Sequence, residues 1–216
     1  MKSLKVKESE LVGIILGDGH LSKHTYGIIV TGGKGDFDYI TKYIPGLFEQ
    51  LFSKKPSIRY IKGNLGGGIQ SVFYSKKVFN YMIKTYGLKY GKKFDMQIPE
   101  LFFRNKKLLK SCMRGLFDTD GGIYRHHKNS IQIVFYNSDY SLIKSVFDGL
   151  RLLGYNPKIC YEKRGKYHVD LFTEDSRRFV EKIGFSSPKN KLKYGFWLKN
   201  GRVPKNSEIT NAVAEN

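Results

Sequence analysis

The stretch LVGIILGDG at residues 11–19 is an apolar segment that ends in Asp18 between two glycines. Its apolar run predicts a helix whose C-terminal end falls at this acid. That end of a helix has a partial negative charge, so a carboxylate there is disfavoured by a few tenths to about 1 kcal/mol. We therefore expect Asp18 to have a function that offsets this cost.

The same pattern recurs in the second half of the chain as MRGLFDTDG at residues 113–121. The segments that follow the two copies also match, for example FDYITKYIPGLFEQLF with YSLIKSVFDGLRLLGY. Self-similarity over this length is the signature of an internal duplication. In the alignment, Gly13, Gly17, Asp18 and Gly19 correspond to Gly115, Thr119, Asp120 and Gly121.

Each half has the periodicity of helix, strand, strand, helix, strand, strand, helix. Ile131, Ile133 and Phe135 alternate with other residues, as in a strand with one covered face. The following segment has apolar residues at three- and four-residue steps, as in an amphipathic helix. These patterns predict an α+β protein made of two αββαββα halves. We expect halves at residues 1–88 and 109–200, a linker at 89–108 and a polar tail at 201–216.

Composition indicates the class of partner. The 216 residues contain 38 Lys and Arg against 19 Asp and Glu, a net charge of +19, which favours nucleic acid.

Cys112 and Cys160 have no CxxC spacing, so we expect two buried packing cysteines, no zinc site and a reducing intracellular compartment. The longest apolar runs are too short to cross a bilayer, so we expect no membrane partner.

The glycine spacing predicts how the two halves meet. Small residues at positions i and i+4 lie on one helix face and let two backbones approach closely. If the two motif helices pack around a pseudo-twofold axis, Asp18 meets Asp120 at their C-terminal ends. Two apposed carboxylates repel each other, and divalent metal ions relieve that repulsion. Acids, metal ions and a basic surface are suited to phosphodiester hydrolysis, so a nuclease is predicted.

The two motif copies closely resemble those of the LAGLIDADG homing endonucleases, in the monomeric branch with two motifs in one chain. The resemblance implies antiparallel four-stranded sheets that form a saddle on double-stranded DNA of about twenty base pairs. It also implies roughly two or three Mg²⁺ ions, with Mn²⁺ or Ca²⁺ able to substitute in binding, and cleavage across the minor groove that leaves 3′ overhangs. A free-standing, intron-encoded enzyme in a prokaryotic cytoplasm or an organelle is the expected context.

The resemblance also suggests roles for residues near the motifs. It implies catalytic and metal-binding functions for Asp18 and Asp120, with the backbone carbonyls of Gly17 and Thr119 as further metal ligands. Asn137 falls where members often place a polar side chain that holds water, and the first half has Gly32 and Gly33 there. Lys92 and Lys189 align with the basic residue that follows the third helix of each half. Asp118 points away from Asp120 along the helix, which favours a structural role.

Base recognition is expected from the strand faces, because alternate side chains project together. Leu21 and Ile123 are then predicted to face the helices. Gln132 is the clearest candidate, since an amide can make two hydrogen bonds to one base. We expect the histidines not to bind Mg²⁺, which prefers oxygen. The full set of candidates for DNA contact is Ser22, His24, Arg59, Gln70, Tyr124, His126, Lys128, Gln132, Lys163, Arg164, Lys166 and His168.

Two alternatives remain open at this point. An RNA maturase on the same scaffold would use the basic surface to help its host intron splice, with or without cleavage. A DNA-binding regulator that does not cut would normally have lost an acid or gained a helix-turn-helix domain. Both acids are present in this sequence, which argues against the second alternative.

Overall fold

The first half of the chain has the predicted order of elements. The computed structural model describes residues 2–62, 67–127, 129–162, 165–204 and 208–209. A short 3-10 turn at Lys34–Asp36 and a π-helical segment at Tyr39–Tyr43 precede the second helix. The regular elements are α1 (Lys2–Leu16), β1 (Gly19–Ser22), β2 (Gly27–Gly32), α2 (Ile44–Phe52), β3 (Ser57–Ile61), β4 (Gly68–Tyr74) and α3 (Lys76–Tyr86).

The second half repeats this order and adds one helix at each end. These helices are α4 (Glu100–Phe103), in the connection between the halves, and α8 (Pro188–Asn200), after the last repeated helix. The repeated elements are α5 (Lys106–Thr119), β5 (Gly121–Arg125), β6 (Ile131–Asn137), α6 (Tyr140–Leu152), β7 (Lys158–Glu162), β8 (Lys166–Phe172) and α7 (Thr173–Lys182). The predicted linker therefore contains α4 and the first residues of α5.

Each half contributes one antiparallel sheet of four strands. The strand orders are β1-β2-β4-β3 and β5-β6-β8-β7, so the two sheets have the same topology. One face of each sheet packs on the helices, as Ile28 and Val30 in β2 and Ile133 and Phe135 in β6 show by their complete burial. The opposite face is left open. The predicted α+β fold with duplicated halves is confirmed.

Local signals set the helix boundaries. Asn105 begins α5 by accepting hydrogen bonds from the N–H groups of Lys107 (3.0 Å) and Leu108 (3.4 Å). Asp139 caps α6 in the same way through the N–H of Ser141 at 2.9 Å. Gly87 ends α3 with a φ of +66°, which glycine adopts without strain.

The central helices form a large part of the core. Every residue from 9 to 16 in α1 is buried, and Leu109, Leu116 and Phe117 of α5 are buried as well. Cys112 is buried, as predicted, but Cys160 is only partly buried. It lies on β7, where its side chain belongs to the open face of the sheet. Among the described residues, no helix combines the length and the hydropathy needed to cross a membrane.

Candidate active site at the ends of the paired helices

Helices α1 and α5 pack so closely that their backbones touch. A methyl group added at Gly13 would lie less than 3.0 Å from the carbonyl oxygen of Cys112. One added at Gly115 would be equally close to the carbonyl oxygen of Glu10. A methyl group at Gly17 would overlap the side chain of Thr119. The four predicted interface positions, Gly13, Gly17, Gly115 and Thr119, therefore all lie in this contact.

The two motif acids stand at the adjacent C-terminal ends of these helices. Asp120 is the C-cap of α5, and its Oδ2 lies 3.6 Å from where a methyl group on Gly17 would be. Burial, followed by the charge of Asp18, raises the pKa of Asp120 to about 7. Asp18 remains in contact with solvent, yet partial burial still raises its pKa, with Lys93 opposing this shift and Asp36 adding to it. The geometry brings the acids together as predicted.

Lys93, which the sequence analysis did not select, lies beside both acids. Its Nζ donates to the carbonyl oxygens of Ile15 (3.0 Å), Leu16 (2.9 Å) and Gly17. Burial lowers the pKa of Lys93, while the charges of Asp120 and Asp18 raise it. The ammonium group thus neutralises the negative end of α1 and the carboxylates next to it.

The placement predicted for Lys92 is wrong. Lys92 is exposed, and it is the next residue that turns inward. The preceding Gly91 has a φ of +76° and donates its N–H to the carbonyl oxygen of Leu21 at 3.0 Å. This bond fixes the linker against β1 and directs Lys93 over the end of α1. The carbonyl of Gly17, predicted as a metal ligand, is therefore already bonded to an ammonium group.

Asn137 lies next to Asp120, and both the nitrogen and the oxygen of its side-chain amide make hydrogen bonds. Its Nδ2 donates to Asp120 Oδ2 at 2.8 Å, and its Oδ1 accepts from the N–H of Asp139 at 2.8 Å. The backbone carbonyl of Asp120 also accepts from the N–H of Tyr136 at 3.0 Å. The amide therefore orients the carboxylate of Asp120, and its expected role of holding water stays a prediction.

The first half has a different group in the corresponding place. Gly32 ends β2 and Gly33 follows it, so neither offers a side chain to the site. Instead, Asp36 accepts a hydrogen bond from Lys189 Nζ at 2.5 Å, and both charges act on the pKa of Asp18. Lys189 and Lys93 each stand seven residues after the last residue of their helix, α7 and α3. The two lysines are thus equivalent in the duplication but have different partners.

Asp118 points away from the site, as predicted. Its carboxylate is 3% exposed and accepts from the N–H groups of Ser186 (2.8 Å) and Ser187 (3.0 Å). It thereby ties α5 to the segment that leads into α8. Burial raises its pKa to about 7.

A second buried acid, Glu10, was missed because it stands just before the motif. Glu10 accepts from Arg114 Nη1 at 3.1 Å and also from the hydroxyl groups of Tyr43 and Ser186. These partners come from α5, the segment before α2 and the segment before α8. Glu10 therefore connects the two halves near the paired helices.

On the first sheet, three predicted DNA contacts lie on the open face. Arg59 and Gln70 are paired across β3 and β4, and Gln70 Nε2 donates to Thr31 Oγ1 at 3.2 Å. Ser22 lies at the end of β1, while His24 lies beyond the strand in an exposed turn. Leu21 is buried, as predicted. The alternation also places His20 on the open face, although the sequence analysis omitted it.

On the second sheet, Tyr124 and Gln132 are paired across β5 and β6 on the open face. His126 follows β5 and packs on the ring of Phe172, with 4.7 Å between centroids. Lys166 is exposed at the start of β8. Ile123 is buried, as predicted. Lys128, Lys163 and Arg164, also predicted to contact DNA, lie outside the described residues.

His168 is on the same open face but does not have a free imidazole. Its side chain is 16% exposed, and its Nε2 lies 3.4 Å from Asp170 Oδ2. Asp170 is itself 6% exposed. His168 therefore lies on the predicted face with its ring beside Asp170, and its contact with DNA stays a prediction.

Comparison with known proteins finds a family model that matches part of the second half. Residues 108–184 match the model of the LAGLIDADG-like domain. These residues include the second motif acid, the whole of its sheet and the helix that follows. The duplication gives the first half the same order of elements around Asp18.

Solved structures with the LAGLIDADG fold resemble most of the chain, including the first half. The homing endonuclease I-DmoI in complex with DNA and Mn has a TM-score of 0.60 and 20% identity, covering 85% of this chain and 98% of that one. I-WcaI bound to its DNA recognition sequence has a TM-score of 0.57 and 20% identity, covering 88% and 85%. The N-terminal LAGLIDADG domain of DUF199/WhiA has a TM-score of 0.59 and 20% identity, covering 88% and 86%. At these identities the likeness establishes the fold.

Curated relatives match this chain only as a segment of longer proteins. The replication factor C small subunit of Methanocaldococcus jannaschii is 26% identical over 202 residues, which are 86% of this chain and 10% of that protein. A DNA polymerase of Thermococcus hydrothermalis is 26% identical over 204 residues, 84% of this chain and 11% of that protein. The chain thus spans only a small fraction of the length of these relatives.

Proposed function

We propose that this protein is a metal-dependent, site-specific DNA endonuclease that acts as a monomer. One chain would place both halves on a double-stranded target of about twenty base pairs, where base edges and deformable steps are read together. It would hydrolyse one phosphodiester bond in each strand across the minor groove and leave 3′ overhangs. The observation that supports this most is the pairing of Asp18 and Asp120 at the end of the central helices.

The charge of the chain supports DNA as the partner. A net charge of +19 favours contact with phosphates, and two open sheet faces offer alternating polar side chains. The homing endonuclease structures with the same fold were determined with target DNA and with Mn, Mg or Ca. Each phosphate neutralised adds roughly 0.9 to the slope of log affinity against log salt, so steep salt dependence is expected.

The residues at the site fit a hard divalent cation. Asp18 and Asp120 supply the oxygen ligands that Mg²⁺ prefers. Burial and the charge of Asp18 hold the pKa of Asp120 at about 7, a shift that a nearby cation would reverse. Asp18 and Asp120 would hold the ion, with the Thr119 carbonyl as the further ligand implied by the family. When bound, such an ion supplies a water of lowered pKa and stabilises the leaving oxygen.

The other residues of the site prepare the acids for this role. Asn137 fixes the orientation of Asp120, so less freedom is lost when the carboxylate binds. Lys93 supplies positive charge beside both acids and favours their ionised forms. The charge of Lys189 likewise lowers the pKa of Asp18 and favours its ionised form.

The two halves are not equivalent, which favours unequal cleavage of the two strands. An amide holds Asp120, whereas an Asp36–Lys189 ion pair acts on Asp18. We expect a nicked intermediate to accumulate on supercoiled plasmid. Replacing Asn137 with Ala should lengthen the delay on one strand more than on the other. Direct conversion to linear product in both proteins would show that the halves are equivalent.

The decisive experiment is cleavage of a randomised DNA library with Mg²⁺, followed by sequencing of the ends. Asp18→Asn and Asp120→Asn should each abolish double-strand cleavage and leave DNA binding largely intact. Asp148→Asn is a matched control, because Asp148 is an acid on α6 that pairs with Lys144 at the surface. Full cleavage by either motif variant would refute the assignment. DNA binding without cleavage by the native protein would indicate a regulator, and binding to a host intron transcript would indicate a maturase.

A further inference from the structure

Three potential metal ligands other than the motif acids meet on the open face of the second sheet. Cys160 on β7 pairs directly with His168 on β8, and Asp170 is the next residue of β8 on the same face. Cys160 Sγ lies 3.5 Å from Asp170 Oδ2, and His168 Nε2 lies 3.4 Å from the same oxygen. One ligand atom from each residue falls within 4.8 Å of the other two.

Asp170 of this cluster is buried, Cys160 and His168 are partly buried, and two of the polar atoms have no hydrogen-bond partner among the described residues. Asp170 Oδ1 and His168 Nδ1 are shielded from solvent and have no hydrogen-bond partner among the described residues. Lys158, which pairs with Asp170 in the sheet, directs its Nζ over the ring of Phe172 at 5.5 Å from the centroid. A buried carboxylate with an unpaired oxygen is costly, and a bound cation is one way to compensate it.

We propose that Cys160, His168 and Asp170 bind a divalent transition-metal ion of the zinc class. Tetrahedral bonds of about 2.3 Å to sulfur and about 2.0 Å to nitrogen and oxygen place sulfur about 3.5 Å and nitrogen about 3.3 Å from the carboxylate oxygen. The observed separations are 3.5 and 3.4 Å. Three protein ligands leave one coordination position for water. On binding, the Cys160 thiol releases its proton to solvent.

The environment of His168 fits this role. With Nε2 directed at Asp170, Nδ1 faces Glu162 Oε1 at 3.8 Å. Metal-bound imidazoles commonly direct their second nitrogen at a carboxylate, which fixes the ring and its tautomer. The two sites also differ in the metal ion they suit. Thiolate and imidazole ligands favour an ion of the zinc class here, whereas the carboxylates of the candidate active site suit Mg²⁺.

Titration of the metal-free, full-length protein with Co²⁺ tests the proposal. A thiolate-to-cobalt charge-transfer band should appear and saturate at one ion per chain, and a large excess of Mg²⁺ should not remove it. Cys160→Ser should abolish the band, and His168→Gln and Asp170→Asn should weaken binding by well over tenfold. Glu162→Gln should weaken it by about tenfold.

Two control variants make the result specific. Cys112→Ala should keep the band, since Cys112 is buried between the central helices. Asp120→Asn should also keep it, so the result does not depend on whether the chain is a nuclease. Absence of the band in the native protein, or its retention in Cys160→Ser, would overturn the proposal. Either outcome would show that the three side chains are only hydrogen bonded to one another.

Discussion

The contact between α1 and α5 makes a sharp prediction for Gly115→Ala. The new methyl group would overlap the carbonyl oxygen of Glu10 and approach the backbone nitrogen of Ile14 to 2.8 Å. Both atoms belong to the backbone of a buried helix, so they cannot move without shifting α1 as a whole. The helices would have to separate at the point where the motif acids are aligned.

The size of the effect follows from two opposing terms. Alanine is favoured over glycine inside a helix by about 1 kcal/mol. Forcing a methyl group into a packed contact typically costs about 1–3 kcal/mol, and more where the neighbours are rigid. Because backbone is rigid, we expect a net loss of about 2–3 kcal/mol in the free energy of unfolding. For a chain of this size the melting temperature should fall by roughly 5–10 °C.

Gly149→Ala is the matched control. The methyl group added at Gly149 would overlap a neighbouring atom as closely as the one added at Gly115. Here the neighbour is Met113 Cε, the end of a flexible side chain. We expect its stability to stay within about 1 kcal/mol of the native protein, since the methionine can rotate and the helix gains from alanine. Gly195→Ala in α8, with nothing within 4 Å, should be neutral or slightly stabilising. Urea denaturation of the three variants measures the differences. Equal stability of Gly115→Ala and Gly149→Ala would refute the backbone-contact explanation.

Three further predictions concern charged groups. Glu10→Ala should lower the free energy of unfolding by about 2–4 kcal/mol, because it leaves Arg114 without its buried partner. Glu100→Ala breaks only a surface ion pair and should change the free energy of unfolding by less than about 0.5 kcal/mol. Similar losses for the two variants in urea denaturation would contradict this prediction. Because the pKa of Asp120 is raised to about 7, its protonated form stabilises the metal-free protein at low pH, and this contribution is lost as the pH rises through 7. Over the same range the affinity for Mg²⁺, measured by calorimetry, should rise. A Mg²⁺ affinity that does not change with pH would argue against Asp120 as a ligand. Lys93→Met should move that rise in Mg²⁺ affinity to higher pH, since a cation beside both acids is lost, and Lys92→Met should leave it unchanged.

The sequence was sufficient to predict the fold and the helix contact. The duplication shows itself as matched segments, and the spacing of Gly13 and Gly17 is a local property of one helix face. The alternation in β6 likewise identifies the buried face of the sheet. The glycine spacing and the strand alternation depend only on residues that are close in sequence, and the duplication is visible by direct comparison of the two halves.

The site was harder to predict where it depends on the path of a loop. Lys92 was predicted where the structure has Lys93, because the positive φ of Gly91 decides which of the two lysines turns inward. The bond from Asn137 to Asp120 depends on how β6 ends beside α5, which spacing alone does not give. One signal was available and missed: counting in twos from Asp18 passes through His20 before it reaches Ser22.

The cluster at Cys160 shows a different limit. His168 and Asp170 are two residues apart on a strand, so their shared face is readable from the sequence. The position of Cys160 opposite His168 depends on the register of the hairpin between β7 and β8. That register is set by the turn, which the sequence pattern does not determine.

The burial of α1 has a consequence for synthesis of the chain. The hydrogen bonds that join α1 to α5, from Ser111 to Val6 and from Arg114 to Glu10, link residues 105 and 104 positions apart. Contacts so distant in sequence close a long loop and form late in folding. While the ribosome is still making the second half, the apolar side of α1 has no partner and can associate with another nascent chain. Slow translation beyond the first half should therefore increase aggregation, and supplying the second half as a separate polypeptide should reduce it.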